Sequence, residues 1–258
     1  MVMTDGTTVF QSDQYADTYP LGIERHWWTK ARSEIVRKAI LTFASSRILD
    51  VGCGPGLMVA HLRRHGMDCW GCELGSPEVR AAAKDFVWTN TNAVNLSRDF
   101  RLSVRIILLL DVLEHLPDPV SFLSGLIDAY PALQGVVVTV PARMELWTAW
   151  DDRYGHFLRY NRCQAAELLE KSNVETKSLR YFFHMLYPVL FLASCTNTRQ
   201  TFIGAPRILW PHAMLAKWFV LENFIPGLRS MPGTSLIATG VPRRSPASMA
   251  PTHGSDHT

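Results

Sequence analysis

The sequence predicts an α/β fold in which a doubly wound, mostly parallel sheet carries helices on both faces. Strand-like and helix-like segments alternate over residues 47–140, two of the strand-like segments are continuous aliphatic runs, and the first strand ends in a glycine-rich turn. Such alternation is typical of parallel sheets, whose strands are apolar on both faces. Because ligands of these sheets bind at the carboxyl ends of the strands, we expect the functional site there.

Length and composition narrow the class of protein. A chain of 258 residues fits one domain with an appendage, because single cores stop growing at about 250 to 300 residues. The apolar fraction of 47% excludes a disordered or fibrous protein, and the net charge of +3 is too small to indicate nucleic-acid binding. Five scattered cysteines, no recognisable signal peptide and no apolar run of membrane-spanning length predict a cytoplasmic protein.

The first half of the chain contains two strand-turn-helix units. Residues 1–22 form an N-terminal arm, and apolar residues three to five apart predict an amphipathic helix over 23–42. The first unit has a strand over 47–51 and a helix over 57–65. The second has a strand over 69–73 and a short helix over 78–84, with Ser76 as its N-cap and Pro77 at its first position.

The second half completes the sheet and adds an insertion. It holds aliphatic strands over 105–110 and 135–140 around a helix over 120–130, then a helix over 161–172 and strands over 174–182 and 235–241. We expect the late strand to be antiparallel. The predicted domain is therefore 23–182 with 227–241, a hydrophobic cap insertion occupies 183–226, and the Pro/Ser/His-rich residues 242–258 form a disordered tail.

The strongest motif is the turn after the first strand, which reads Ile48-Leu-Asp-Val-Gly-Cys-Gly-Pro-Gly56. Glycines let a ligand approach the backbone closely, and the next helix offers free N–H groups. Leu57 stands where dinucleotide-binding turns carry a third glycine, which disfavours an NAD-dependent oxidoreductase. Asp50 would repel phosphates and attract an ammonium group, and Glu73 closes the second strand at a spacing suited to ribose hydroxyls.

With these residues in place, the sequence resembles the class I S-adenosylmethionine-dependent methyltransferases, in particular the type 11/type 23 branch that contains the ubiquinone-biosynthesis type. The likeness includes the stretch Asp111-Val-Leu-Glu-His-Leu-Pro-Asp-Pro119 and covers roughly residues 20–241. It implies a Rossmann-like fold and S-adenosylmethionine as cofactor, with S-adenosylhomocysteine as product. The implied reaction is methyl transfer to a small-molecule or lipid-like acceptor.

The resemblance also implies a set of cofactor-binding residues. Asp50 and the glycines would surround the methionine moiety, Glu73 the ribose and Asn92 the adenine, although an acid is more usual at position 92. Leu158 is a second departure, because it replaces an arginine in the segment Asp151 to Tyr160. The full implied set is Asp50, Gly52, Cys53, Gly54, Gly56, Glu73, Leu74, Asn92, Ala93, Asp111, Val112, His115, Trp28 and Arg32.

Two histidines are candidates for catalysis. Methyl transfer from a sulfonium depends mainly on positioning and exclusion of water, so a general base is optional. Where the acceptor is a hydroxyl or an ammonium, His156 or His115 would remove the proton. We expect His156 to lie over the pocket mouth and His115 to shape the cofactor site. Glu114 and His115 are also residue types that bind divalent metal ions. Two adjacent ligands are weak evidence for a metal site, so no metal is predicted.

The excess positive charge falls in the insertion. Residues 199–229 contain four basic side chains, Arg199, Arg207, Lys217 and Arg229, against the single acid Glu222. Basic residues on an apolar surface predict peripheral membrane contact through 183–226, with a homodimer interface or a hydrophobic lid as equal alternatives. The alternative function is a catalytically inactive cofactor-binding scaffold or membrane-surface partner.

Overall fold

The computed structural model describes residues 2–4, 7–10, 12–44, 46–195, 205–228 and 231–243. The strands, in chain order, are β1 Val2–Thr4, β2 Thr7–Val9, β3 Arg47–Val51, β4 Cys69–Cys72, β5 Val87–Trp88, β6 Val104–Leu110, β7 Gly135–Pro141, β8 Val174–Phe182 and β9 Ser235–Pro242. The α-helices are α1 Ser12–Thr18, α2 Trp27–Ile40, α3 Leu57–Arg64, α4 Arg98–Ser103, α5 Pro119–Ala129, α6 Ala149–Tyr154, α7 Arg162–Lys171, α8 Leu186–Cys195 and α9 Leu209–Leu221.

Seven of these strands form one sheet in the order β5-β4-β3-β6-β7-β9-β8. Neighbouring strands from β5 to β7 are parallel, whereas β9 is antiparallel to both β7 and β8. The predicted α/β class and the late antiparallel strand are therefore confirmed. The strand order reverses between β3 and β6, and ligands of open α/β sheets bind in the crevice at such a reversal.

The central strands are buried on both faces, as their aliphatic sequences predict. Leu49, Ile107 and Leu109 belong to one apolar cluster, whereas their chain neighbours Ile48 and Leu108 belong to the cluster on the opposite face. Alternate side chains of a strand point to opposite faces, so each of these strands contributes to both halves of the core. This rigid centre fixes the two turns at the carboxyl ends of β3 and β6.

The predicted helix over 78–84 is wrong. Residues 76–80 form neither a helix nor a strand, and Arg80 is extended and leads into a 3₁₀ turn at Ala81–Phe86. Tertiary hydrogen bonds hold the extended form: the Arg80 N–H donates to the carbonyl of Pro55 at 2.9 Å, and the Arg80 guanidinium donates to the carbonyls of Tyr19 and Pro20. The Ser76 hydroxyl donates to Asn90 at 2.6 Å instead of capping a helix.

The predicted helix over 23–42 is divided in two. A 3₁₀ turn spans Ile23–Arg25, His26 is extended, and α2 begins at Trp27. The reason is a cap, because the Nδ1 atom of His26 accepts the N–H of Trp28 at 3.2 Å and so satisfies a donor at the start of α2.

The cap insertion contains α8 and α9, and α9 packs along α2. The ring of Trp27 stacks on Phe219 with centroids 4.7 Å apart, and the backbone N–H of Trp27 donates to Nδ1 of His212 at 3.1 Å. Residues 196–204, 229–230 and 244–258 lie outside the described residues, and with them Arg199, Arg229 and most of the predicted tail. Across the parts of the chain that the structure covers, the helices lack the combined length and apolarity of a membrane span.

Glu222 is a structural residue of the cap, and its charge does not reach the surface. The side chain is fully buried, and its two oxygens accept the N–H groups of His184 at 2.8 Å and Met185 at 3.1 Å. Burial raises the pKa of this carboxyl, and the two backbone donors oppose the rise. The carboxylate thereby links the end of α9 to the residues that precede α8.

Replacing Glu222 with alanine should lower the free energy of unfolding by about 1 to 3 kcal/mol, because two buried N–H groups lose their acceptor. Urea denaturation followed by circular dichroism measures the change. The exposed Glu167→Ala is the matched control and should change stability by less than about 0.5 kcal/mol. Equal stability of the Glu222 and Glu167 variants would contradict the structural role of Glu222.

Candidate functional site

The turn between β3 and α3 is built on three glycines in the left-handed region. Gly52, Gly54 and Gly56 have φ values of 74°, 53° and 81°. A side chain at position 52 would begin 2.8 Å from Cγ2 of Val112, and one at position 56 would begin 2.7 Å from Cβ of Ala83. Glycine is therefore required both by the backbone conformation and by the close approach of two segments, the loop that follows β6 and the 3₁₀ turn at Ala81–Phe86.

Asp50 lies beneath this turn with an unused acceptor. Its side chain is buried, and its Oδ1 atom has no hydrogen-bond partner. Burial raises the pKa of Asp50 to about 7, while Arg32 opposes the rise and Glu73 adds to it. A buried carboxylate without a donor is unfavourable, so this oxygen fits a ligand that brings a positively charged donor.

Glu73, at the end of β4, is held in place by the backbone. Its Oε2 atom accepts the N–H of Gly54 at 2.8 Å, and its Oε1 atom accepts the N–H of Gly75 at 3.1 Å. The carboxylate therefore faces the glycine turn. Leu74 and Gly75 follow it, with Leu74 half-buried.

Two tyrosines of the N-terminal arm enter the same region, and the sequence interpretation missed both. The Tyr15 hydroxyl is hydrogen-bonded to the Glu73 carboxylate, and burial, followed by the charge of Glu73, raises the pKa of this phenol. The ring of Tyr19 lies beside Gly54, where an added Cβ would be 3.2 Å from it. The available sequence signal was their spacing of four residues; Tyr15 lies on α1 and Tyr19 one residue beyond its end.

The predicted adenine residues lie on a 3₁₀ turn at Ala93–Asn95. Asn92 caps this turn, since its Oδ1 atom accepts the N–H of Val94 at 3.2 Å. Ala93 is buried, and its carbonyl accepts the Tyr130 hydroxyl at 2.6 Å. One lone pair of the Asn92 side-chain oxygen is thus engaged, which leaves its second lone pair and its NH₂ group for a base.

Arg32 and Asp111 join α2 to the carboxyl end of β6. The Arg32 Nη2 atom lies 2.6 Å from Oδ2 of Asp111, and the Thr139 hydroxyl donates to the other oxygen, Oδ1, at 2.9 Å. Asp111 has a φ of 59°, and the Arg32 guanidinium lies 5.3 Å from the centroid of the Trp28 ring. The structure therefore brings Trp28, Arg32 and Asp111 together, with Thr139 as a partner that the sequence did not reveal.

A buried carboxylate orients His156. Oδ1 of Asp151 lies 2.7 Å from Nδ1 of His156, and the same carboxylate accepts Nε and Nη2 of Arg159 at 2.8 and 2.9 Å. Burial alone would raise the pKa of Asp151, but the hydrogen bonds from His156 and Arg159 hold it well below its usual range. An ionised carboxylate only accepts, so Nδ1 of His156 carries a proton and Nε2 of the neutral ring is free to take one.

His115 lies against His156, with ring centroids 4.7 Å apart. The carbonyl of Tyr154 lies 3.0 Å from Nδ1 of His115, so this nitrogen carries the proton. Burial, followed by the neighbouring His156, lowers the pKa of His115 to about 4. His115 is therefore neutral at pH 7 and is a poorer base than an unperturbed histidine.

Glu114, His115 and His156 form a three-residue group whose potential ligand atoms all lie within 4.8 Å of one another. Both oxygens of Glu114 are buried and have no hydrogen-bond partner. Burial, and then the charge of Asp111, raises the pKa of Glu114 well above its ordinary value. A carboxylate that binds a metal must be deprotonated, and the raised pKa disfavours that form of Glu114. That the site holds no metal stays a prediction.

Comparison with known proteins identifies a family. A family model described as a methyltransferase domain matches residues 25–179, which is more than half of the chain. Similar proteins include a ubiquinone biosynthesis O-methyltransferase of Psychrobacter cryohalolentis, 26% identical over 98 residues that cover 34% of this chain and 38% of that protein. The enzyme of the same name from Acinetobacter baylyi is 24% identical over 121 residues, which cover 44% and 49% of the two chains. The chain thus matches less than half the length of these relatives.

Solved structures share the fold. A methyltransferase in complex with the Haloferax volcanii Trm112 methyltransferase activator has a TM-score of 0.56 at 14% identity, covering 90% of this chain and 96% of that one. The plantazolicin methyltransferase BamL, solved with a substrate analogue and S-adenosylhomocysteine, has a TM-score of 0.52 at 15% identity, covering 90% and 89%. The [4+2]-cyclase SpnF has a TM-score of 0.55 at 16% identity, covering 94% and 100%. At such identities the likeness establishes the Rossmann-like fold alone.

Proposed function

This chain belongs to the methyltransferase domain family, and we propose that it transfers a methyl group from S-adenosylmethionine to a small-molecule or lipid-like acceptor. The observation that carries the proposal is the unpartnered Oδ1 atom of Asp50, buried beneath the glycine turn. A ligand amino group would satisfy this oxygen, and the left-handed glycines leave the backbone open to it. The proposed product is S-adenosylhomocysteine.

The side chains around the turn match the parts of that cofactor. Asp50 would bind the ammonium, Glu73 the ribose hydroxyls and Asn92 with Ala93 the adenine. Trp28, Arg32, Asp111, Val112 and His115 would line the far side. When bound, the cofactor supplies a methyl group that is already activated by its sulfonium, so the protein contributes position, exclusion of water and a place for a proton.

We assign proton removal to His156. Its Nδ1–H is held by the Asp151 carboxylate, so its Nε2 lone pair has a fixed direction. The loop over 143–160 that carries it follows β7, at the same edge of the sheet as the glycine turn. The proposed acceptor therefore bears a hydroxyl or an ammonium that loses its proton as the methyl group arrives.

Isothermal calorimetry with S-adenosylmethionine and S-adenosylhomocysteine tests the cofactor assignment directly. Binding in the micromolar range is expected. No heat of binding at millimolar concentrations of either compound would refute the proposal, provided that circular dichroism shows a folded chain. Incubation of the protein and methyl-labelled cofactor with a cell extract, followed by mass spectrometry, then tests transfer and identifies the acceptor.

The alternative is a chain that binds the cofactor without turning it over. The likeness to a protein named as a [4+2]-cyclase supports keeping this alternative, because the same fold serves different reactions. The two functions give opposite results with labelled cofactor, since a scaffold binds it in calorimetry but transfers no label.

The hydroxyl of Tyr15 competes for the carboxylate assigned to the ribose. Glu73 has about four lone-pair sites, and two backbone N–H groups and the Tyr15 phenol already use three of them. Two ribose hydroxyls would exceed that number, so Tyr15 has to move when the cofactor binds.

Tyr15→Phe should therefore bind S-adenosylhomocysteine about threefold to tenfold more tightly than the parent chain, because no phenol hydrogen bond has to be broken. Calorimetry measures the affinity. Tyr154→Phe, which removes a hydroxyl from neighbouring α6, is the matched control and should leave it unchanged. Weaker binding by the Tyr15 variant would show that the phenol contacts the cofactor instead of competing with it.

A further inference from the structure

The cap exposes an unusually large amount of apolar surface. On α8, Leu192 is 66% exposed and Val189 is 59% exposed, and on α9, Trp210 is 68% exposed and Met214 is 63% exposed. Further exposed apolar residues of the cap are Phe191, Ile208, Leu209, Leu215, Trp218, Leu221, Phe224 and Ile225. Exposed apolar side chains in this number mark a binding site for another apolar body.

Helix α9 is apolar on both of its faces. Its buried face carries Ala216 and Phe219, which pack in the cluster that includes α2. Its outer face carries Trp210, Met214 and Trp218, spaced four residues apart. Because a surface helix normally has polar residues on its outer face, the sequence of α9 indicates that both faces are covered in use.

Lysines border this surface where α9 meets α2. Lys30, Lys38 and Lys217 line a cleft of about 620 Å³ between the two helices. The Lys38 Nζ atom lies 4.7 Å from the centroid of the Phe224 ring. The acid in the cleft, Glu34, accepts Nη2 and Nε of Arg37 at 2.7 and 2.8 Å, so it leaves the three lysines in excess.

We propose that the outer faces of α8 and α9 dock onto a bilayer that contains anionic phospholipid. Tryptophan and long aliphatic side chains suit the boundary between headgroups and acyl chains, and lysines reach the phosphates from its edge. A second copy of the chain fits less well. Protein interfaces are depleted in lysine, and a two-fold interface would bring the lysine-lined clefts of two copies close together.

The proposed docking surface adjoins the loop that carries His156. The Tyr187 hydroxyl of α8 donates to Glu145 at 2.9 Å, and Arg143 is ion-paired with the same carboxylate. Docking would therefore place the loop over 143–160 near the membrane, where an apolar acceptor could enter without crossing water. The membrane contact itself does not depend on methyl transfer.

Flotation of the full chain with vesicles tests the proposal. The vesicles are phosphatidylcholine alone or phosphatidylcholine with 30% phosphatidylglycerol, compared at low salt and at about 0.5 M NaCl. Binding to the anionic vesicles at low salt is expected, and it should weaken with salt because the attraction to lipid charge is screened. Replacing Lys30, Lys38 and Lys217 together with glutamine should weaken binding by about 100-fold, from roughly fivefold per lysine.

A paired variant tests the apolar part. Trp210→Glu with Trp218→Glu should abolish vesicle binding, whereas Leu102→Glu, at an exposed apolar residue of α4, should leave it unchanged. Two results would overturn the proposal. One is failure of the parent chain to float with anionic vesicles. The other is a dimer in sedimentation experiments that the tryptophan variant converts to a monomer, since that would assign the surface to a second copy.

Discussion

Asp50→Asn should bind S-adenosylmethionine about 10-fold to 150-fold more weakly than the parent chain. The reason is the loss of a charge-assisted hydrogen bond to the cofactor ammonium, and a bond of this kind contributes about 1.5 to 3 kcal/mol. Asparagine keeps the size of the side chain and leaves one acceptor oxygen, so the glycine turn should retain its shape. Calorimetry measures the dissociation constant, and the exposed Asp128→Asn on α5 is the matched control.

The same residue predicts a pH dependence. Burial raises the pKa of Asp50 to about 7, so the free protein is increasingly protonated at this site as the pH falls below 7. The ammonium binds the ionised form, and the cofactor must therefore displace that proton. Affinity should fall by up to tenfold for each pH unit below 7, and calorimetry in buffers of different ionisation enthalpy should detect proton release.

In Asp50→Asn this pH dependence should disappear, because no proton is displaced. The sign of the stability effect is also defined. Ionised Asp50 is less favourable in the folded chain than in the unfolded chain, so above pH 7 the asparagine variant should be the more stable protein. If Asp50→Asn and Glu73→Gln both kept the parent affinity, the cofactor site would lie elsewhere.

The sequence predicted the elements whose stability is local or depends on burial alone. The strand over 47–51 matches the observed bounds of β3, since its apolar residues and the glycines that follow define it, and the strand over 174–182 matches the bounds of β8. The prediction of a helix over 78–84 was wrong because the conformation of this segment depends on residues far away in the chain. Ser76 and Pro77 are correct helix-start residues, but the hydrogen bonds of Arg80 to Tyr19, Pro20 and Pro55 lie far away in the chain, and no local pattern reports them.

The candidate site divides in the same way. The glycines, Asp50 and Glu73 stand at strand ends, and strand ends can be located from sequence, so their proximity was predictable. Tyr15 reaches the site from the N-terminal arm and Thr139 reaches it from β7. Their positions depend on how these segments pack, and a local sequence pattern does not report that packing. Charge counting does not report exposure either: Glu222 was counted against the basic side chains of the insertion, and the structure buries it as a backbone acceptor.

His156→Gln should lower kcat for methyl transfer by about 100-fold to 10,000-fold when the acceptor is a hydroxyl or an ammonium, which is the usual contribution of a general base. The affinity for S-adenosylmethionine should stay the same, since we assign that binding to Asp50 and Glu73. Single-turnover transfer to the identified acceptor measures the rate of the chemical step, and calorimetry measures cofactor affinity.

Variants of Asp151 and His115 distinguish a histidine that acts as a general base from one that only packs in the site. Asp151→Asn keeps an acceptor for Nδ1 of His156 but removes the charge that stabilises the protonated ring, so kcat should fall and the rising limb of its pH profile should shift toward lower pH. Arg159 loses its ionic partner in the same variant, and Arg159→Gln, which removes the other half of that ion pair, reports that loss separately.

His115→Gln is the matched control for His156→Gln, because the two rings are neighbours and differ mainly in the assigned role. It should change cofactor affinity more than the rate of the chemical step. Equal losses of kcat in the two histidine variants would indicate a shared packing role. An undiminished kcat in His156→Gln would show that the acceptor loses its proton to water and that positioning alone carries the reaction.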